Sequence, residues 1–328
     1  MIKIIPHYIR RFLDAYRDTI RINQHFNLVK LNGFFIIVKL FIIRFFYSFS
    51  FIRNYKRIIY TNKNMNSDYF LQKKLNISEE IKQIDKLGYS QVYNINDSLK
   101  KELLDMVFDS KSIDFKKLDS TILDVSKMKE ESLKKMKEEN LEEYFVRLRE
   151  KKISRLTGYL DLNKQSILKD FLTSKEILSI VKDYLVDPKF VSINATFFIS
   201  NPVDATEKQQ YSNGQFFHWD NDLRKVLKFY IYLTDVDADS GPHVFVEESH
   251  KFKKRQHRLC RLFNDDNIYN SYKNVKEFHG KSGSAFFEDS YGLHKGKVPK
   301  KKSRILLNIH FGSGKILYSK NDITLNLA

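Results

Sequence analysis

The chain has 328 residues, of which 42% are hydrophobic and 14% aromatic, enough apolar material for one large core or two modest ones. Only 11 glycines and 5 prolines occur, so a disordered low-complexity chain is excluded. The single cysteine, Cys260, excludes a disulfide scaffold, a cysteine-based zinc finger and an iron–sulfur site, and it suits a reducing compartment.

The net charge of +17 is concentrated near the N-terminus. Within residues 1–60, eleven lysines and arginines are opposed by only two acidic residues, Asp14 and Asp18. Because the basic excess belongs mainly to this segment, recognition of nucleic acid by the whole chain is not expected.

Residues 1–60 have the composition of a basic, aromatic helical segment. Large apolar residues recur at helical spacing early in it, namely Tyr8, Ile9, Phe12, Tyr16 and Ile20. A phenylalanine-rich run follows over residues 31–52, but Lys39 and Arg44 interrupt it. Each of these charges would cost about 2.5–3.5 kcal/mol at the centre of a bilayer, which disfavours a simple spanning helix.

We interpret residues 1–60 as a helical segment that lies in a membrane interface, with its basic side chains at anionic headgroups and its phenylalanines below them. This interpretation predicts a cytoplasmic protein that is peripheral on the inner face of a membrane. The alternative is a helical hairpin packed on the protein's own core or on a second subunit.

Residues 61–76 are polar and rich in asparagine and lysine, as expected of a linker, and one domain is predicted over residues 77–328. Its first half has helical periodicity, with a helix over residues 78–88 that ends at Gly88. The sequence Thr173-Ser-Lys-Glu176 resembles a capping box that would open a second helix.

After Pro188 the hydrophobic period changes to two, which is typical of strands. Strands are predicted over five segments, which are residues 191–200, 226–233, 244–246, 284–288 and 305–311. Helices in the first half and short strands in the second predict an α+β fold whose β half is a barrel or sandwich. We expect the chemistry to lie in this β half.

Two segments of the β half carry residues typical of a metal site. In Phe216-Phe-His-Trp-Asp220, His218 and Asp220 are separated by one residue, so on a strand both face the same side. The second segment supplies His294, which lies near glycines. Two histidines and one carboxylate hold one face of an octahedral Fe(II) and leave three positions open.

Arg304 follows His294 by ten residues and begins a predicted strand. A guanidinium in this place could hold a planar carboxylate through two hydrogen bonds. The alternative is that Arg304 belongs to a solvated basic run over residues 300–304. The His-x-Asp pair, the later histidine and the arginine are each weak signals alone, and it is their order along the chain that supports a metal site.

The segments 215–243 and 283–296, followed by Arg304, resemble the core motifs of the phytanoyl-CoA dioxygenase family. The resemblance extends over about residues 78–315 and does not include residues 1–60. It implies a double-stranded β-helix, that is, a jelly-roll or cupin-like core with flanking helices. It also implies an Fe(II) centre with 2-oxoglutarate and O2 as cosubstrates.

By position in these motifs, His218, Asp220 and His294 match the iron ligands of the family, and Arg304 matches the residue that binds the far carboxylate of 2-oxoglutarate. Halogenating relatives lack the carboxylate, so the presence of Asp220 favours hydroxylation of a C–H bond. One departure is Glu248-Ser-His250, where the family often has Gly-Ser-His.

Four further residues are candidates for contact with 2-oxoglutarate or substrate. Lys228 and Tyr230 share one face of a predicted strand, whose other face carries Phe229 and Ile231, and a surface-facing position is the alternative. Gln215 and Asn194 are polar residues on predicted strands. The substrate class stays open among a small molecule, a lipid and a lipid-linked sugar.

Three other functions compete with an oxygenase. The same donor set suits Zn(II) in a metal-dependent hydrolase, but this gives Arg304 no role and no separate general base is evident. A nucleic-acid demethylase could use the basic runs at residues 251–258 and 300–304, although such runs are usually solvated. A non-catalytic β-barrel binding module would not need the metal and cosubstrate positions to be intact.

Overall fold

A computed structural model describes residues 70–72, 75–108, 113–115, 140–186, 190–220, 226–254, 256–257, 262–313 and 323–326. The predicted segment 1–60 and most of the predicted linker lie outside the described residues, so the domain division stays a prediction. Within the described ranges, every helix is too short or too polar to cross a membrane.

The helices of the described part are α1 (Ile77–Leu87), α2 (Asp97–Phe108), α3 (Leu141–Glu150), α4 (Ser166–Leu172), α5 (Lys175–Leu185), α6 (Glu207–Ser212) and α7 (Asp265–Tyr269). The predicted glycine stop of the first helix is confirmed, because Gly88 has a φ of 98° and its N–H bonds to the carbonyl of Ile84. The predicted capping box is wrong. Ser174 is the N-cap of α5 and makes no side-chain cap bond, while the Thr173 hydroxyl bonds back to the Lys169 carbonyl of α4.

The strands form two antiparallel sheets. The larger has the order β1 (Tyr93–Asn94), β10 (Ser284–Glu288), β6 (Val226–Tyr232), β12 (Arg304–Gly312), β4 (Phe190–Ser200), β3 (Arg155–Leu160) and β2 (Ile113–Phe115), with β13 (Ile323–Asn326) also paired to β4. The smaller has the order β8 (Leu262–Phe263), β5 (Phe217–His218), β11 (His294–Gly296), β7 (His243–Val246) and β9 (Val275–Phe278).

The chain alternates between the two sheets. Strands β4, β6, β10 and β12 lie in the larger sheet, and strands β5, β7 and β11, which fall between them in sequence, lie in the smaller one. This alternation winds the chain into a jelly roll, the double-stranded β-helix, with helices outside it. The α+β prediction is confirmed.

The larger sheet is covered on both faces. Its helix-facing residues are apolar, whereas the row that faces the interior includes polar residues such as Asn194 and Lys228. One face packs on the helices, as where the rings of Phe229 and Phe171 approach to 6.0 Å. The other face lines the interior of the roll, where Phe286 stacks on Phe278 of the smaller sheet at 4.0 Å. Burial of each such phenylalanine contributes about 1.5–3 kcal/mol. Buried aromatic rings therefore pack the interior between the sheets beside the site.

Candidate active site

The two histidines of the predicted metal set lie side by side on the smaller sheet. Strands β5 and β11 pair antiparallel with His218 directly opposite His294, and the two imidazole rings are 4.3 Å apart between centroids. Asp220 follows β5, and its N–H bonds to the Ser290 carbonyl at 2.8 Å. Residues 70 or more positions apart in sequence thus meet around one strand pair.

Each imidazole is oriented by its own backbone. The Nδ1 of His218 lies 2.9 Å from the Phe216 carbonyl, and the Nδ1 of His294 lies 2.9 Å from the Gly292 carbonyl. With Nδ1–H donating to a carbonyl, each Nε2 is left as an acceptor, the usual arrangement of metal-binding histidines. Burial lowers the pKa of His294 well below its usual value, which keeps the ring in the neutral form that binds a metal.

The ligand atoms of His218, Asp220 and His294 all lie within 4.8 Å of one another. The Oδ2 of Asp220 is 3.7 Å from the Nε2 of His294. In the described part of the chain, these three side chains are the group close enough to share one ion. Two imidazole nitrogens and one carboxylate oxygen fit the facial triad of a non-haem Fe(II) site.

Trp219 faces away from this group, as the alternation along a strand requires. Its Nε1 donates to the carbonyl of His257 at 3.1 Å, and its ring packs edge-on against Tyr291. The indole therefore anchors the segment between the two candidate ligands.

Arg304 is buried, with 3% of its surface exposed, so the alternative of a solvated basic run is wrong for this residue. Its Nη1 donates to the carbonyl of Gly241. Its Nη2 lies beside Gly296, which is on the same strand as His294; a Cβ added to Gly296 would be 3.2 Å from this nitrogen. Its Nε has no hydrogen-bond partner among the described residues. A buried guanidinium with an unused donor suits an anionic ligand inside the roll.

The structure places Lys228 and Tyr230 in the interior of the roll, so the surface-facing alternative is wrong. The Nζ of Lys228 lies 2.6 Å from the Oδ2 of Asp220. The Tyr230 ring lies 4.6 Å from that of His243, and burial raises the pKa of Tyr230 well above its usual value. Whether either side chain contacts 2-oxoglutarate stays a prediction.

Gln215 and Asn194 are also buried. The Oε1 of Gln215, three residues before His218, has no hydrogen-bond partner in the described ranges. Asn194 on β4 is opposite His310 on β12, and His310 is in turn opposite Lys228 on β6. Asn194 therefore shares the interior-facing row of Lys228, and its role in binding also stays a prediction.

Sequence reasoning missed Arg155, because no strand was predicted at β3. Arg155 and Arg304 flank Ser200 from its two sides in register. A Cβ on Gly214 would lie 3.8 Å from the Nη1 of Arg155 and 3.5 Å from the Nε2 of His218. A second guanidinium thus lies near the candidate metal ligands, and only the pairing of distant strands reveals it.

Sequence reasoning also missed Glu288 and His243, although both lie within the quoted motifs. The Oε2 of Glu288 is 2.6 Å from the Nε2 of His243, and both side chains are buried. Burial raises the pKa of Glu288, while the nearby His243 and Lys228 act in the opposite sense. A single acidic residue at the end of a strand gives no signal by itself, since a metal-ligand motif needs two donors at short spacing.

Glu248, the departure from the family motif, lies in the turn after β7. Glu248 has a φ of 61°, a left-handed conformation that glycine adopts without strain, which agrees with the glycine frequent at this position in the family. The Ser249 hydroxyl accepts from the Leu293 N–H at 2.7 Å and so anchors the residue before His294. His250 bonds to the Asp85 carbonyl at 2.9 Å and is not a member of the metal group.

Solved structures with a similar fold include AviO1 from Streptomyces viridochromogenes Tue57, at 12% identity and a TM-score of 0.44 over 73% of this chain and 96% of that one. HygX from Streptomyces hygroscopicus, solved with nickel, 2-oxoglutarate and hygromycin B bound, has 11% identity and a TM-score of 0.45 over 71% and 86%. EctD from S. alaskensis, solved with 2-oxoglutarate and 5-hydroxyectoine, has 13% identity and a TM-score of 0.42 over 71% and 74%. No curated protein matches the chain.

The jelly roll and its interior group of two histidines and one aspartate define the class of non-haem Fe(II)- and 2-oxoglutarate-dependent oxygenases. The family model described as phytanoyl-CoA dioxygenase (PhyH) matches residues 121–298, which is more than half of the chain. The chain belongs to this family. Its cofactor is Fe(II), and its cosubstrates are 2-oxoglutarate and O2.

Proposed function

We propose that this oxygenase hydroxylates a C–H bond of a small organic substrate. His218, Asp220 and His294 hold the iron, and Arg304 binds the far carboxylate of 2-oxoglutarate. When bound, iron and its two cosubstrates supply the oxidising power that cleaves an unactivated C–H bond. The presence of a carboxylate in the ligand set supports hydroxylation.

The main observation behind the proposal is that strand β11 brings the candidate metal ligands close to the buried guanidinium of Arg304. His218 and His294 are direct partners, and Arg304 reaches Gly296, two residues beyond His294 on the same strand. A dicarboxylic acid that binds a metal at one end and a guanidinium at the other fits such a chamber. A hydrolase or a binding module would leave the buried guanidinium of Arg304 without a function.

The remaining walls of the chamber exclude water and orient ligands. Tyr230, His243 and Phe286 form a continuous ring contact, with centroid distances of 4.6 Å and 5.4 Å from Tyr230 to the other two. Arg155 approaches from the side of His218 and supports a second polar contact for cosubstrate or substrate. A dry, preorganised site strengthens every electrostatic interaction within it.

The experiment is an assay of 2-oxoglutarate consumption with Fe(II) and ascorbate, compared between the full chain and its variants. His218→Ala and Asp220→Ala each abolish consumption, because a facial triad that loses one member no longer holds iron in the right geometry. His279→Ala is the matched control, since this histidine is half-exposed and pairs with Glu277. Consumption that survives either ligand substitution, or hydrolysis that needs only Zn(II), would contradict the proposal.

The substrate itself is sought by untargeted metabolite profiling of a deletion strain against its parent. The expected result is accumulation of a compound lighter by one oxygen atom than a compound lost in the deletion strain. Should membrane contact through residues 1–60 be demonstrated, a lipid or a lipid-linked sugar becomes the preferred substrate class.

A further inference from the structure

Glu288 is a fully buried acid behind the candidate iron ligands. It ends strand β10, with 0% of its side chain exposed. Its Oε2 is held by the Nε2 of His243 at 2.6 Å, and the His243 ring lies 5.7 Å from the His294 ring. The candidate donor set His218, Asp220 and His294 does not include either residue.

The second oxygen of this carboxylate points at a metal ligand. The Oε1 of Glu288 has no hydrogen-bond partner in the part of the chain that the structure describes, and it lies 3.7 Å from the Nδ1 of His294. The shorter contact of that Nδ1 is the Gly292 carbonyl at 2.9 Å. The carboxylate therefore lies on the side of the imidazole opposite to the Nε2 that faces Asp220.

Each type of candidate ligand has a nearby side chain of a different charge: a lysine lies beside the carboxylate ligand, and a glutamate lies beside an imidazole ligand. Lys228 and Glu288 are direct cross-strand partners on β6 and β10. The ammonium of Lys228 contacts the carboxylate ligand Asp220, and the carboxylate of Glu288 faces the imidazole ligand His294. The Gly292 carbonyl orients the His294 ring. A negative charge behind a metal-binding imidazole makes that ring a stronger donor, and a buried charge is only weakly screened.

We propose that Glu288, held in place by His243, is a positioning residue for His294 and strengthens the binding of the metal. The inference rests on the proposed metal centre at His218, Asp220 and His294. Glu288 touches neither cosubstrate nor substrate in this scheme, and its effect reaches the reaction only through the imidazole.

The test measures Co(II) binding to the full chain without any cosubstrate. The protein has one tryptophan, Trp219, which lies between the candidate ligands His218 and Asp220, so its fluorescence reports binding of the metal directly. Glu288→Gln preserves shape and removes the charge, and it weakens Co(II) binding about 10- to 100-fold. The visible absorption of bound Co(II) shifts as well, because the ligand field of His294 changes.

Two further variants separate positioning from general stability. Glu80→Gln is the matched control, since Glu80 is a buried acid of helix α1 that accepts from the Gln91 N–H, and it leaves Co(II) binding unchanged. His243→Leu removes the donor to Glu288 and lowers the affinity in the same direction as Glu288→Gln. Unfolding of each variant is followed separately by circular dichroism.

If folded Glu288→Gln and His243→Leu bind Co(II) as tightly as the unmodified chain, with the same absorption, the positioning role is overturned and the proposed function stands. If the unmodified chain binds no Co(II) and consumes no 2-oxoglutarate, the proposed function itself fails.

Discussion

The role inferred for Arg304 depends on whether the residue is considered in the sequence or in the folded structure. In the sequence it ends a run of lysines, whereas in the structure it is buried beside Gly241 and Gly296. Burial lowers the pKa of its guanidinium, but arginine stays protonated in proteins. An anionic ligand inside the roll, as we propose for 2-oxoglutarate, would offset that cost.

Arg304→Met therefore raises the KM for 2-oxoglutarate. Loss of one partner of a buried, hydrogen-bonded charge pair costs about 2–5 kcal/mol, which corresponds to an increase of about 30-fold or more. The measurement is the rate of succinate formation as a function of 2-oxoglutarate concentration.

The control is Lys302→Met, which removes an exposed lysine from the same basic run, paired with Asp237, and leaves that KM unchanged. Equal KM values for Arg304→Met and the unmodified chain would assign the far carboxylate to another residue, with Arg155 the first candidate.

At the scale of elements, the short strands β5 and β11 of the smaller sheet bring the two candidate histidine ligands together. The two strands pair at a single register position, where His218 lies opposite His294. The turn before β11 sets the position of His294 along its strand. In that turn Gly292 lies against the Phe245 ring, and Phe245 is itself a strand partner of His294. The metal site thus depends on a glycine that carries no chemistry.

Gly292→Ala is expected to destabilise the fold and weaken metal binding together. A Cβ there would overlap the Phe245 ring, and such overpacking costs about 1–3 kcal/mol. The measurements are thermal unfolding and Co(II) titration of the same sample.

Gly283→Ala is the comparison. Gly283 has a φ of 97°, but a Cβ there meets only ordinary contacts at 3.5 Å, so this variant loses stability through backbone strain and keeps its metal affinity. If both variants lost metal affinity equally, the effect would be one of general stability and not of the turn.

At the scale of the whole molecule, the charge is divided unequally between two parts. The described residues form an oxygenase core, whereas the basic, phenylalanine-rich residues 1–60 lie outside the described part. Their attraction to anionic headgroups and the depth of their phenylalanines would act together at a membrane surface. Membrane contact stays a prediction.

Removal of residues 1–60 is expected to move the protein from the membrane fraction to the soluble fraction. The measurement is co-flotation of the full and shortened chains with anionic and with neutral vesicles, with 2-oxoglutarate consumption as proof that the shortened chain is folded. Equal partitioning of both chains would favour the alternative, a hairpin packed on the core or on a second subunit.

The sequence determined the elements whose signal is local. Period-two segments predicted the strands, as for residues 191–200 and 305–311, because successive residues of a strand face opposite sides of the sheet and so meet different surroundings. Gly88 predicted the end of a helix through backbone freedom alone. The family motifs identified His218, Asp220, His294 and Arg304 as a set.

Only the tertiary structure decided which of these side chains meet, because strand register is a property of two distant segments at once. It placed Lys228 on Asp220, Glu288 behind His294 and Arg155 beside Gly214, none of which has a signal within one segment. The prediction of a capping box at Thr173 was wrong for a related reason, since the Thr173 hydroxyl donates to the Lys169 carbonyl of the preceding helix α4. Local propensity thus specifies the elements, while burial and pairing between the sheets specify the site.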